Sequence, residues 1–297
     1  MDDAIYANSI TKSFKDVVAI SRATLIAKKG INIIIGPNGA GKSTLLRCIA
    51  GLYSPETGSV RVFGKDPYHD DNVRNYISLL SDNYALYDKL TVMNNLLFFG
   101  RLYGIDDRKI KEFSMQMLRR LDADMYISRK AGELSRGTKQ KIALCRALIN
   151  EPRAILLDEP TAFLDATSSE KVHRMLEDFA DEGRIVLYAT QRLNEATRFN
   201  ATLFMIKKGN VSHKMTTGDL YAKMLKDSTV NIRLGSAISA SRTRRMPHFE
   251  GMNGPVIKIV INNYRQINES VSYLIRNRAY IVSIDYTEPL IEKMMED

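Results

Sequence analysis

Two hydrophobic rhythms alternate along the chain. Near its start, "AIYANSI", "VVAI" and "ATLIA" are short β-like runs, and "INIII" at 31–35 is apolar almost throughout, the pattern of a strand buried on both faces. From residue 42 the spacing changes, with Leu45, Leu46 and Ile49 on one face of a helix that Gly51 is placed to stop. "TGSVRVFG" alternates as an edge strand does. Between 91 and 122, "TVMNNLLFFGRLYG" and "DDRKIKEFSMQMLRRLD" predict two or more helices, and another runs from about 136 to 150. A buried strand "AILLD" at 154–158, a helix near 168–182 and the apolar run 185–189 follow, the last stopping at Thr190 and Gln191. Such alternation predicts a mostly parallel sheet with ligands at the carboxyl ends of its strands.

The pattern shifts after about residue 220. Residues 234–254 ("LGSAISASRTRRMPHFEGMNG") carry linker chemistry, and "VIKIVINNY", "INESVSYLIRNRA" and "YIVSIDY" read as strand, helix, strand. The expected division is a large domain over 1–222 with a helical lobe at about 82–150, a linker over 223–254 and a small α/β domain over 255–297. A length of 297 residues at 44% hydrophobic content suits one large and one smaller domain. The formal net charge is +9, but residues 223–297 hold 11 Lys+Arg against 8 Asp+Glu. The excess is therefore spread along the chain, which weakens a nucleic-acid reading and fits an anionic ligand or a membrane surface. Cys48 and Cys145 fall within apolar helical patterns and are expected as packed free thiols. No signal peptide is apparent, and no apolar run approaches the roughly 18 residues of a membrane span.

The strongest chemical signal is "GPNGAGKST", 36–44, directly after an apolar strand and opening a helix. Its glycines let the main chain from Asn38 through Gly39, Ala40 and Gly41 to Thr44 curl around phosphate oxygens. Lys42 reaches the terminal phosphates and Ser43 offers a hydroxyl to magnesium. In "ILLDEP", Asp158 and Glu159 stand at the end of a buried strand, the first suited to hold magnesium through water and the second to orient or deprotonate an attacking water. Taken alone, that acidic pair fits a solvated turn equally well. "LSRGTKQ", 134–140, places Ser135 where an N-cap belongs and Gly137 where a ligand could approach closely.

Together and in this order, these segments resemble the ATP-binding subunits of ABC transporters over about residues 4–215. The resemblance implies an α/β P-loop NTPase fold with a mostly parallel sheet, an antiparallel edge subdomain and an inserted helical lobe, plus the small C-terminal α/β domain. It implies ATP and Mg2+ as cofactors and two subunits sandwiching two ATPs head to tail, so that Ser135 and Gly137 of one chain meet the nucleotide on the other's phosphate loop. Asp165 matches the position linking the two sites across that dimer, and Phe14 the aromatic that stacks on adenine. Two positions depart from the family pattern. Asp82 stands where a magnesium-contacting glutamine is usual, and Gln191 where a histidine is usual. A glutamine amide can donate to the γ-phosphate but cannot carry a positive charge, which implies a slow ATPase.

Residues 81–104 look like the corresponding segment of ATPases serving ABC-2 type exporters, those grouped with sodium and drug export, and the carboxyl end resembles the accessory domain many of them carry. This implies an ATP hydrolase, peripheral on the cytoplasmic face of the membrane, that powers export through a separate transmembrane permease and pairs with a second ATPase subunit as a homo- or heterodimer; no nucleic acid is expected. Two alternatives stay open. One is a soluble ABC ATPase acting on ribosomes or nucleic acid, suggested by the basic balance and by "SRTRR" at 241–245. The other is a weakly hydrolysing regulatory subunit, suggested by Asp82 and Gln191 and opposed by Glu159.

Overall fold

The computed structural model describes residues 4–81, 84–225, 228–235 and 243–287, and the chain divides into two compact units, Met1–Met215 and Thr216–Asp297. The first unit runs β1 (Ile5–Phe14), β2 (Val17–Ala27), β3 (Gly30–Ile35), α1 (Lys42–Ile49), β4 (Thr57–Val62), α2 (Asp71–Arg74), β5 (Ile77–Leu80), α3 (Val92–Leu102), α4 (Asp107–Arg120), α5 (Arg136–Leu148), β6 (Ala154–Asp158), α6 (Ala166–Asp181), β7 (Ile185–Thr190), α7 (Leu193–Ala196), β8 (Thr202–Lys207) and β9 (Asn210–Thr216, which crosses into the second unit).

The main sheet has the order β5-β6-β7-β3-β8-β9, and the pairs from β5 through β8 are parallel. Every residue of β6 and β7 is buried, which is why these segments read as continuous apolar runs with no polar alternation. An antiparallel sheet, β2-β1-β4, lies beside it. One core joins the two sheets through Leu45, Leu46 and Ile49 of α1. The helices α3, α4 and α5 pack on one another around Leu96, Ile110 and Leu118.

"VVAI" and "ATLIA" are one strand, not two. Pairing with β1 continues across Ser21 and Arg22 because register shifts, with Arg22 at φ 49°, absorb the irregularity that breaks the apolar rhythm.

The second unit holds α8 (Thr217–Leu225), β10 (Ser228–Leu234), β11 (Phe249–Asn253), β12 (Val256–Ile261), α9 (Tyr264–Arg276) and β13 (Ile281–Thr287), with the antiparallel order β11-β12-β10-β13. The linker expected over 223–254 is corrected here, since β10 and β11 both lie inside it. Val230, Ile232 and Leu234 alternate into a core with Ile257, Ile259, Ile261 and Leu274, so the polar residues between them are the strand's other face. The division between units also falls at 215/216, earlier than the expected 222. No helix among the described residues is long and apolar enough to cross a membrane.

Candidate functional site

Register sets the site. Ile35 pairs with Thr190 and Asp158 with Ala189, so β3, β6 and β7 end level and deliver the phosphate loop, the acidic pair and the 190–191 turn to one edge. Gly36 bridges two of them, its N–H donating to the Thr190 carbonyl at 3.3 Å. The loop closes only with glycine: a Cβ on Gly36 would lie 2.2 Å from the Ile206 carbonyl oxygen, and one on Gly41, at φ 104°, would lie 2.4 Å from that of Ala19.

Helix capping tests whether this loop suits an anion. Side-chain oxygens of Thr91, Asp106, Ser135, Asp165 and Asn263 accept amide protons at the starts of α3, α4, α5, α6 and α9. The helix α1 has Gly41 at that place, with no side-chain cap and no acid in its first turn, so its leading amides and positive dipole end face the loop. Lys42 is 6% exposed, and its ammonium donates to the carbonyls of Gly36 at 2.8 Å and Pro37 at 3.0 Å. Burial pulls the Lys42 pKa below the ordinary lysine value, and the nearby Glu159 and Asp158 charges partly restore it. Amides, a helix end and a buried ammonium together fit a polyphosphate.

Glu159 follows the strand in a left-handed conformation at φ 48°, held by its N–H to the Ala189 carbonyl at 3.0 Å. Its carboxylate lies 3.9 Å from the Lys42 ammonium, accepts the Gln191 N–H at 2.8 Å and faces the Thr190 hydroxyl at 3.3 Å. Burial raises its pKa against the lowering pull of Lys42 and the Gln191 amide, which moves a carboxylate toward the proton affinity a general base needs. Gln191 thus reaches Glu159 through its backbone, while its side chain is exposed. Asp158 is buried and Ser43 opens α1 beside Lys42. The described residues hold no cluster of three or more acids, histidines or cysteines for a metal. Ser43 and Asp158 offer the hard oxygen donors that Mg2+ takes, an ion that needs few protein ligands. Asp82 lies outside the described residues.

The signature segment sits elsewhere. Ser135 caps α5 by accepting the Thr138 N–H at 3.2 Å and is exposed. A Cβ on Gly137 would approach the Phe163 carbonyl oxygen to 2.7 Å, Gln140 donates to the Pro160 carbonyl at 2.9 Å, and the Arg136 guanidinium lies 5.4 Å from the Phe163 ring centre. The segment therefore rests on the run following Glu159, with its capping serine exposed. Asp165 caps α6 by accepting the Ser168 N–H at 2.8 Å and hydroxyl at 3.0 Å, and the Ser168 amide is the main cause of its lowered pKa. Phe14 packs edge-on against Tyr53 at 5.3 Å with 42% of its surface exposed. Both cysteines are free and buried, with thiols pushed up to about 11 at Cys48 and about 12 at Cys145, chiefly by burial, so neither is a reactive nucleophile.

Sequence reading missed Glu195. Its carboxylate is buried and receives donors from Thr161, Tyr188, Thr190 and Arg192. A single glutamate in a polar run has no motif; only the fold assembles its donors.

A strand-end phosphate loop with a buried lysine, opposed by a base-like carboxylate on a parallel sheet, defines a P-loop ATPase. Comparison with known proteins narrows the class. The ABC transporter family model matches residues 23–162. The chain is 36% identical over 210 residues to the ABC transporter ATP-binding protein NatA of Bacillus subtilis, covering 70% of this chain and 85% of NatA. It is 28% identical over 274 residues to the spermidine/putrescine import ATP-binding protein PotA of Acetivibrio thermocellus, covering 92% of this chain and 77% of PotA. It is similar in structure to the bacterial cassette MJ0796, solved as a dimer and in a post-hydrolysis state with ADP and Pi; each comparison gives a TM-score of 0.67 at 25% identity and covers 72% of this chain and 98% of that one. The chain belongs to the ATP-binding subunits of ABC transporters, and it is an ATP hydrolase.

Proposed function

We propose that this ATPase drives export through a separate ABC-2 type permease, working from the cytoplasmic face of the membrane as one half of an ATP-closed dimer. The observation that carries the catalytic part is the convergence on Glu159 of the Lys42 ammonium at 3.9 Å and the Gln191 N–H at 2.8 Å.

In this reading the loop amides and Lys42 hold the β- and γ-phosphates, and Phe14 stacks on adenine. Ser43 and Asp158 would hold Mg2+, with Asp82 in support as the family resemblance implies, and the ion would supply positive charge against the phosphates. Glu159 accepts a proton from the attacking water; the water oxygen bonds the γ-phosphorus, and the bond to the bridging β–γ oxygen breaks, leaving ADP and phosphate. The Gln191 side-chain amide donates to the γ-phosphate without supplying positive charge. Ser135, which is exposed, and Gly137 serve the nucleotide of the other subunit, and Asp165 links the two sites. Closing and opening of the pair passes through α3, α4 and α5 to the permease.

The likeness of residues 81–104 to exporter ATPases and the match to NatA over 85% of its length support export. The match to PotA, an import protein, extends over 92% of this chain and favours import as the second reading. Reconstitution with its permease decides between them. ATP added on the side of this subunit drives solute away from that side in an exporter and toward it in an importer.

A further inference from the structure

Glu195 is the most heavily bonded carboxylate near the site and takes no part in the chemistry above. It is 6% exposed, and four side chains donate to it: Thr161 at 2.6 Å, Tyr188 at 2.8 Å, Thr190 at 2.9 Å and the Arg192 guanidinium at 3.3 Å. These donors come from the run after Glu159, from β7 and from the turn past Gln191. A buried carboxylate is costly without such partners, so the set fixes three segments against one another.

Thr190 makes the link to catalysis. Its hydroxyl stands 2.9 Å from Glu195 Oε2 and 3.3 Å from Glu159 Oε2, and it accepts the Arg192 N–H at 3.0 Å. A hydroxyl has one proton to give, and the shorter distance assigns it to Glu195. The hydroxyl proton is thereby turned toward Glu195, and the 190–192 backbone is pinned where the Gln191 N–H meets Glu159 Oε1 at 2.8 Å. Arg192 braces the same turn from outside, bonding Glu195 and the Ala162 carbonyl.

We infer that Glu195 is a positioning residue for ATP hydrolysis: by anchoring the 190–192 turn through Thr190, it sets where Glu159 and Gln191 stand. The inference rests on Glu159 being the base. A pin that merely stabilised the fold would act on stability and on nucleotide affinity alike, whereas misplacing a reacting group acts on the chemical step.

The test uses the full chain with Mg-ATP, measuring kcat and KM, the affinity for a fluorescent ATP analogue and Tm for the wild type, Glu195→Gln, Thr190→Val, Thr190→Ser and Glu159→Gln. Glu195→Gln turns one acceptor into a donor facing other donors, so the turn must shift. The expected result is a kcat lower by about 10-fold or more in Glu195→Gln and Thr190→Val, with analogue affinity within about 3-fold of wild type and Thr190→Ser close to wild type. If Glu195→Gln and Thr190→Val turn over like wild type while Glu159→Gln is inactive, the inference falls and the base assignment stands. If Glu195→Gln loses kcat, affinity and Tm together while Thr190→Val behaves as wild type, Glu195 is a fold pin and the inference also falls. A Glu159→Gln protein that still hydrolyses ATP removes the base assignment and the inference with it.

Discussion

The phosphate loop and the signature segment both present a helix N-terminus, yet they are built in opposite ways. At the loop, α1 begins on a glycine with no side-chain cap, beside a buried ammonium and a carboxylate that the neighbouring strand holds. At the signature, α5 begins on an exposed serine that already caps its own helix. The first half of the site draws the loop amides, Lys42 and Glu159 together within one chain. The second already satisfies its own helix end, with Ser135 exposed. The difference fits the proposal that one subunit binds nucleotide by itself and that turnover needs something brought to Ser135 and Gly137.

Substitutions separate the two halves. Glu159→Gln keeps the shape and removes the base, so turnover is expected to fall by about 10² to 10⁴ while ATP binding persists, measured by phosphate release and by calorimetric titration. At Ser135, the cap and the proposed contact to the other subunit's nucleotide come apart. Ser135→Ala loses the bond from the Thr138 N–H and about 1 kcal/mol of stability; Ser135→Asp restores the cap but sets a negative charge where phosphate is to arrive. Thermal unfolding then recovers in the aspartate variant while turnover stays down by about 10-fold, as loss of one charge-stabilising contact commonly does. Recovery of both would reduce Ser135 to a cap. The smallest effect belongs to Gln191→His, which supplies an imidazole able to carry charge beside Glu159 and is expected to raise basal turnover a few-fold. Unchanged or lower turnover contradicts the view that glutamine handicaps this position.

The two halves were unequally readable in the sequence. "GPNGAGKST" carries its meaning in the backbone: glycine spacing after an apolar strand specifies the turn, and the structure supplies the close contacts at Gly36 and Gly41 that require it. The cap at Ser135 was readable for the same reason, being local. What sequence could not give is convergence. That Gln191 meets Glu159 through its amide and not its side chain follows from strand register, and Glu195 gains its donors from positions up to 34 residues away. β10 was hidden differently: Val230, Ile232 and Leu234 alternate with polar residues, and a compositional reading of the segment as linker overrode that period.

The central claim is that ATP on the phosphate loop of one subunit is completed by Ser135 and Gly137 of another. Sedimentation velocity of the Glu159→Gln protein tests it directly, because bound ATP survives long enough to be counted. The account predicts monomer without nucleotide, dimer with Mg-ATP, and monomer again when Ser135→Asp is added. A protein that binds ATP to saturation and still sediments as a monomer would contradict it.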